Sequence, residues 1–348
     1  MLFLAFTQLR QGTFGGIFDY RMNRHENQRS NRSNYKKIMT TDKDNLMNCD
    51  METGICEISD PVTSSENITT FSSVKAGSKP VRLLYFTDPI CSSCWGIEPQ
   101  MRKLKQEYGD YFSIEYRMGG LLKSWDEYGG SDVNGPASVG GHWNEAGEHY
   151  EMPINGDLWK EDPLDSSYPP SIAFKAAQLQ GNEQAERFLR KIKEMVLVEK
   201  KNITKWEHLA QAAADTNLDL IKFRADYKNK ANDLFQQDLS MRHEWGVRGF
   251  PTIFFIDEED NRFKVYGSKP YEMYEQALLK LAPGATKTEA PAFDENVLKE
   301  YGSITTKEFA VLNGTSFEES EIILNSFADE GKLKKITANT GHLWRVII

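Results

Sequence analysis

The sequence predicts an α/β fold with a large helical insertion, followed by a small C-terminal module. Three observations lead to this prediction. A short apolar run at 83–86 is followed by a break and a Cys-x-x-Cys motif at the start of a helix. A long stretch of helical periodicity separates this unit from a second apolar run at 252–256. The final segment, 293–348, combines helix-capping signals with a hairpin signal.

The first unit has the pattern of two strands joined by a helix. We expect a strand at 81–86, a helix at 93–108 and an alternating strand at 112–118. Apolar side chains recur at helical spacing in the segment that follows the Cys-x-x-Cys motif and precedes the second strand. A strand, a helix and a second strand in this order predict a parallel pair with a right-handed crossover.

The segment 119–167 is predicted to be irregular, because it contains the Gly-Gly pairs at 129–130 and 140–141 and five aromatic residues. These aromatic residues are Trp125, Tyr128, Trp143, Tyr150 and Trp159. Two interpretations are equally open: the aromatic side chains form an apolar substrate surface, or they pack the interior of the insertion.

Helical periodicity continues to about residue 240, so we place the insertion at 119–240. One helix opens at Pro170 and is ended by Gly181. Others are expected at 183–198, 206–215 and 221–241, and Thr204 is a candidate N-cap for the helix at 206–215.

The second apolar run predicts the strand 252–256, a turn at 257–261, a strand at 263–266 and a closing helix at 271–281. The segment 284–292 has the composition of a linker, and 293–348 is expected to form a small winged-helix-like module. Capping boxes are expected at Thr305 with Glu308 and at Ser316 with Glu319. The candidate recognition helix is acidic, which favours a protein contact over DNA.

The Cys91-x-x-Cys94 spacing predicts thiol–disulfide chemistry. The free N–H groups and dipole of a helix N-terminus favour a thiolate. Cys91, at the end of the helix, is therefore expected to attack a disulfide. Cys94, one turn further in, is expected to resolve the mixed disulfide.

The motifs resemble those of the thioredoxin superfamily. Pro99 matches the helix-kinking proline of that family, and Pro251 matches its cis-proline. The helical insertion resembles the DsbA branch. The residues around the motif resemble a subgroup containing FrnE-like predicted disulfide isomerases and YjbH-like adaptors, which deliver substrates to a cytosolic protease. The resemblance implies that the backbone of Phe250 pairs with an extended substrate and that Trp95 contributes to substrate binding.

Composition and charge limit the possible functions. A charged fraction of 27% and the lack of a long apolar run predict a soluble, cytoplasmic protein without a membrane span. The net charge of -9 argues against nonspecific nucleic-acid binding.

The N-terminal segment 1–78 is polar or basic and is predicted to be disordered. Residues 1–38 are either an arginine-rich transit peptide or, as we prefer, lie upstream of a true start at Met39 or Met47. The same segment holds Cys49 and Cys56, which are a second redox pair, half of a metal site or, in our preferred interpretation, two ordinary thiols.

Two hypotheses for function follow. The first is a protein dithiol–disulfide oxidoreductase or isomerase, in which Cys91, Cys94 and Pro251 act on protein thiols or disulfides. It needs no cofactor and no metal. The second is a protease adaptor or client-binding protein whose C-terminal module contacts a protein partner. A weaker third hypothesis assigns the four cysteines to zinc.

Overall fold

A mixed six-stranded sheet organises the fold. The structure, a computed structural model, describes residues 47–49, 55–58, 79–127, 135–289 and 295–347. The strands lie in the order β1-β2-β6-β5-β3-β4. They are β1 (Met47–Cys49), β2 (Ile55–Ile58), β3 (Val81–Thr87), β4 (Phe112–Met118), β5 (Thr252–Ile256) and β6 (Arg262–Tyr266).

The sheet confirms the strand pairings expected from the sequence. β3 and β4 are parallel, with Thr87 opposite Met118. β5 is antiparallel to both β3 and β6. Phe86, near the end of β3, pairs with Thr252, the first residue of β5. The loop after β3 therefore lies beside the loop that precedes β5.

Two short strands differ from the prediction of a disordered N-terminal segment. β2 pairs with β6 and extends the sheet, and β1 pairs with β2 so that Cys49 lies opposite Cys56. Strand addition at a sheet edge uses backbone hydrogen bonds and needs no side-chain periodicity, so the sequence pattern missed it. The rest of 1–78, including the start-codon question, lies outside the described residues.

The helix after β3 is divided into two pieces. α1 (Ser92–Gly96) ends at Ile97, and α2 (Glu98–Tyr108) begins immediately afterwards, with Pro99 in its first turn. Proline has no backbone N–H, and its ring clashes with the carbonyl group one helical turn earlier. A continuous helix is therefore interrupted there. The sequence predicted one helix at 93–108 and the position of the kink.

In the described parts of the insertion between β4 and β5, residues 119–127 and 135–251, the chain forms seven helices. They are α3 (Pro136–Tyr150), α4 (Leu158–Glu161), α5 (Tyr168–Gln178), α6 (Asn182–Leu197), α7 (Trp206–Asp215), α8 (Leu220–Asn229) and α9 (Ala231–Glu244). The part of the chain that the structure describes holds no helix long and apolar enough to cross a membrane.

Helix α3 corrects the prediction of an irregular segment at 119–167. Its Gly-Gly pair looks like a helix breaker, but a Cβ atom on Gly140 would lie 2.6 Å from the carbonyl oxygen of Gly156. Glycine is therefore required there for close packing. Two smaller predictions also fail: the expected helix 221–241 is broken at Lys230, and the N-cap of α7 is Lys205 instead of Thr204.

Three of the insertion's tryptophans pack against one another. The ring of Trp159 lies 5.9 Å from that of Trp125 and 5.2 Å from that of Trp143, with edge-to-face geometry in both pairs. Trp143 and Trp159 are buried. For these residues the packing interpretation is correct, while Tyr128 lies outside the described residues.

After α10 (Tyr271–Leu281), the chain forms a second small sheet in the order β7-β9-β8. Its elements, α11 (Glu295–Tyr301), β7 (Ser303–Thr305), α12 (Thr306–Asn313), α13 (Phe317–Asp329), β8 (Leu333–Ala338) and β9 (Gly341–Val346), are the C-terminal module. The capping box of Thr305 and Glu308 is confirmed. In the second expected box, the side chain of Ser316 accepts a hydrogen bond from the backbone N–H of Glu319, but the return bond from the Glu319 side chain is not formed. The winged-helix assignment and the domain boundaries stay predictions.

The C-terminal module packs directly on the first part of the fold. Thr340 donates a hydrogen bond to Met152 O at 2.8 Å and accepts one from Ile154 N at 2.9 Å. Glu308 binds Arg190 of α6 through both carboxylate oxygens, at 2.6 and 3.0 Å, and its Oε1 lies 3.2 Å from Nε of Arg102 on α2. The side chain of Glu308 is completely buried.

We predict that Glu308→Ala destabilises the protein by about 3–5 kcal/mol, because it removes the buried counter-ion of Arg102 and one of the two buried counter-ions hydrogen-bonded to Arg190. Urea unfolding of the full chain measures this change as a lower midpoint. Glu319→Ala removes an exposed carboxylate one helix away and serves as the matched control. Equal midpoints for the two variants would contradict the prediction.

Candidate dithiol site

The two motif cysteines lie at the junction of β3 and α1. Cys91 is the N-cap of α1, and its Sγ accepts a hydrogen bond from the backbone N–H of Cys94 at 3.4 Å. Both residues are free thiols. Cys91 is 7% exposed and Cys94 is fully buried, so a partner reaches Cys91 first.

The loop before β5 lies beside the dithiol, as the sequence predicted. The Phe250–Pro251 peptide is cis. The Sγ atom of Cys91 lies 3.8 Å from the carbonyl oxygen of Phe250, to which its thiol donates. The two motifs, separated by about 160 residues in the printed sequence, therefore form one site.

The aromatic ring of Phe250 packs on a glycine. A Cβ atom on Gly119, just after β4, would lie 2.0 Å from the Phe250 ring. On its other side the ring contacts the guanidinium of Arg242, 5.2 Å from the ring centroid, and this guanidinium also donates to Gly119 O at 2.9 Å. These contacts fix the ring and leave the backbone carbonyl of Phe250 directed at Cys91.

Asp88 is a buried carboxylate between β3 and the dithiol. It accepts hydrogen bonds from Ile90 N at 3.1 Å, Leu121 N at 2.7 Å and Ser167 Oγ at 2.9 Å. Burial outweighs these hydrogen bonds and raises the pKa of Asp88 from 3.8 to about 6. In the sequence, Asp88 marks only the end of the first apolar run, and no role in the site was expected for it.

The ionisation of the two thiols differs from the prediction. The hydrogen bond to Cys94, followed by burial, raises the pKa of Cys91 well above its ordinary value. Burial opposes ionisation of Cys94 as well, but the hydrogen bond from Cys91 and the charge of Lys193 lower the pKa of Cys94. Helix α1 has only five residues, so its dipole is a weak source of stabilisation for Cys91.

Trp95 lies in the interior of the protein. Its side chain is fully buried, and its Nε1 donates to Pro153 O at 3.1 Å. The guanidinium of Arg190 stacks on its ring at 4.4 Å. Trp95 is thus part of the support behind the dithiol, and its contact with a substrate stays a prediction.

A buried ion pair beside the dithiol was missed by the sequence analysis. Lys193 on α6 is 1% exposed, and its Nζ lies 2.7 Å from Oε1 of Glu98, one turn after Cys94. Alternating charges along α6 are also typical of a solvated face, so the sequence offered no signal that distinguished Lys193 from its neighbours.

The described residues contain no cluster of three or more His, Cys, Asp or Glu that could hold a metal ion. The side chains of Cys49 and Cys56 lie outside this description, so the zinc hypothesis stays a prediction. What the described site provides is a covered dithiol, a neighbouring backbone carbonyl and a buried set of charges.

Comparison with known proteins identifies the class. A thioredoxin family model matches residues 84–276, which include the dithiol and the loop of Pro251. A candidate protein disulfide isomerase from Nitrosomonas europaea shares the fold, with a TM-score of 0.50 and 22% identity over 60% of this chain and 97% of that one.

Curated relatives are more similar in sequence. The chain is 33% identical to the ClpXP adapter protein SpxH of Halalkalibacterium halodurans over 311 residues, covering 87% of this chain and 98% of that protein. It is 32% identical to the ClpXP adapter protein SpxH of Bacillus subtilis over 273 residues, covering 77% and 89%. The chain therefore belongs to the thioredoxin superfamily and to the same family as these adapter proteins.

We predict that the pKa of Asp88 makes stability depend on pH in a defined direction. The folded state binds the Asp88 proton more tightly than the unfolded chain does, so this stabilisation is complete below pH 3.8 and is lost as the pH rises through about 6. Relative to Asp88→Asn, the wild type should gain about 2 kcal/mol between pH 7 and pH 4. Urea midpoints of both proteins across this range measure the gain.

Asp88→Asn also removes a hydrogen-bond acceptor, which changes the free energy of unfolding by an amount that does not vary with pH. The test is therefore how the stability difference between the two proteins changes with pH. A constant difference between the two proteins from pH 4 to pH 7 would show that Asp88 has an ordinary pKa.

Proposed function

We propose that this protein is an adaptor that binds a client protein and delivers it to the protease ClpXP. The observation that carries this proposal is the match to a ClpXP adapter protein over 98% of that protein's length. A thioredoxin-like body supplies the client-binding part, and a cytoplasmic location belongs to the same proposal.

The geometry of the dithiol supports binding over turnover. The raised pKa of Cys91 keeps the accessible thiol protonated at neutral pH, and a protonated thiol is a poor nucleophile. The site can still hold a client, because exposed apolar side chains surround it. Leu121 is 42% exposed next to the Asp88 loop, and Tyr266 is 49% exposed next to Gly249.

We predict that client proteins have longer half-lives in cells that lack this chain and in cells that lack ClpX. Proteome-wide turnover measurements in both strains would identify proteins stabilised in both. Purified ClpXP should then degrade such a client faster when this chain is added. If the two strains share no stabilised protein, the adaptor proposal fails.

We predict that Tyr266→Asp weakens client binding at least tenfold, because an interface must then desolvate a carboxylate in place of an aromatic ring. The dissociation constant for a client identified by turnover is the measurement. Ile221→Asp is the matched control, since Ile221 is 86% exposed on α8 in the insertion. An equal effect of both substitutions would exclude a client contact at Tyr266.

A second candidate function is thiol–disulfide exchange, favoured by the position of Cys91 Sγ next to the carbonyl oxygen of Phe250. The Cys91 thiolate attacks a client disulfide, forming a mixed disulfide and releasing one client thiolate. Cys94 then attacks the sulfur of Cys91 and releases the second client thiolate. The client is reduced by two electrons, and the pair becomes a disulfide.

For this second function we predict that Cys94→Ser traps clients covalently, since the resolving thiol is absent. Non-reducing gels of cell extracts should show adducts that a Cys91→Ser/Cys94→Ser variant lacks. The double variant also separates the two functions: it should still support client degradation if the protein is an adaptor. Adducts that are equal in both variants would exclude exchange at Cys91.

A further inference from the structure

Helix α6 of the insertion lies along the dithiol helices and places two cations against them. The guanidinium of Arg190 stacks on Trp95, next to Cys94, and its Nη1 lies 3.8 Å from Oε2 of Glu98. One turn further along α6, Nζ of Lys193 lies 2.7 Å from Oε1 of the same carboxylate. Trp95 directly follows Cys94 and Glu98 lies four residues after it, so both cations contact residues close in sequence to the buried thiol.

The two cations differ in how their charges are compensated. Arg190 binds Glu308 through two hydrogen bonds and Glu194 through a third, at 2.7 Å. Among the described contacts, Lys193 pairs only with Glu98, and it shares that carboxylate with Arg190. The charge of Lys193 is thus the less compensated one, and burial limits its screening by water.

The other charged and titratable groups that face the dithiol do not replace Lys193. Asp88 is an acid, and its negative charge raises the pKa of Cys91. The remaining groups are phenols, or cations bound to acids of the C-terminal module. They are Tyr85 on β3, Tyr116 on β4, Tyr274 on α10, and Arg102 with Glu308.

We propose that Lys193 is the positioning residue that stabilises the singly ionised state of the Cys91–Cys94 dithiol. One proton leaves the pair to solvent, and the other stays in the hydrogen bond between the two sulfur atoms. The stabilising charge then comes from the helical insertion, because helix α1 is too short to supply it. This inference goes beyond client delivery and stands whether or not the protein is an adaptor.

The test is a thiol titration of the full chain, followed by the ultraviolet absorbance of the thiolate as the pH is raised. All variants carry Cys49→Ser and Cys56→Ser, so only the dithiol contributes. We expect Lys193→Met to raise the first apparent pKa of the dithiol by about 1–3 units, the effect of losing an opposite charge a few ångströms away. Lys193→Arg keeps the positive charge, so the first apparent pKa of the dithiol should stay close to that of the parent protein.

Lys175→Met is the matched control. Lys175 is another buried lysine of the insertion, and its Nζ pairs with Oδ2 of Asp238 at 2.9 Å. Its removal also takes a cation away from a buried acid, which keeps Arg117 as a partner. Burial lowers the pKa of Lys175, and the charged groups that act on it, Asp238, Arg117 and Glu115, do not include the dithiol. We expect its thiol titration to match that of the parent protein.

A second pair of variants assigns the effect to one sulfur. With Cys91→Ser, only Cys94 remains, and the shift caused by Lys193→Met should be larger than with Cys94→Ser. An unchanged dithiol titration in a Lys193→Met protein with native circular dichroism overturns the proposal, as does an equal shift in Lys175→Met. If Lys193→Met does not fold, Lys193→Gln gives the same comparison with a polar side chain.

Discussion

The guanidinium of Arg190 connects three parts of this protein in a space from which water is excluded. It stacks on Trp95 behind the dithiol, pairs with Glu194 on its own helix and binds Glu308 of the C-terminal module. Desolvation of each of these ions costs several kcal/mol, so the arrangement is stable only when all partners are in place. The contacts of α6 with the dithiol region and with the C-terminal module are for this reason energetically coupled through one side chain.

The dithiol depends on the same network. A Cys-x-x-Cys motif at a helix N-terminus normally obtains its reactivity from backbone N–H groups and the helix dipole. Here the helix ends after five residues, the thiol of Cys91 is almost covered and donates to the carbonyl of Phe250, and the insertion contributes a buried cation, Lys193, that pairs with Glu98. The surroundings of the dithiol therefore come from groups that are distant in sequence.

The C-terminal module also supports the site from behind. Thr340 holds the backbone of Met152 and Ile154, and the carbonyl of the residue between them, Pro153, accepts the hydrogen bond of Trp95. Similarity to adapter proteins over nearly their full length is consistent with a module that is integral to the molecule. Both proposed functions place a client at the surface beside Cys91, so one surface serves either proposal.

Local chemistry allowed much of the fold to be predicted from the sequence. The strand before Cys91, the kink at Pro99, the strand after Pro251 and the capping box at Thr305 all depend on residues within a few positions of each other. Such signals act through backbone geometry, which a sequence displays directly.

Only the tertiary structure decided the environment of the site. It placed Trp95 in the interior, raised the pKa of Asp88 through burial and paired Lys193 with Glu98, four residues after Cys94. Each result depends on desolvation by segments far away in the chain, and desolvation has no local signature in the sequence. The sequence alone determined that this protein carries a dithiol on a thioredoxin-like fold, and the packing of the insertion and the C-terminal module decided how that dithiol ionises.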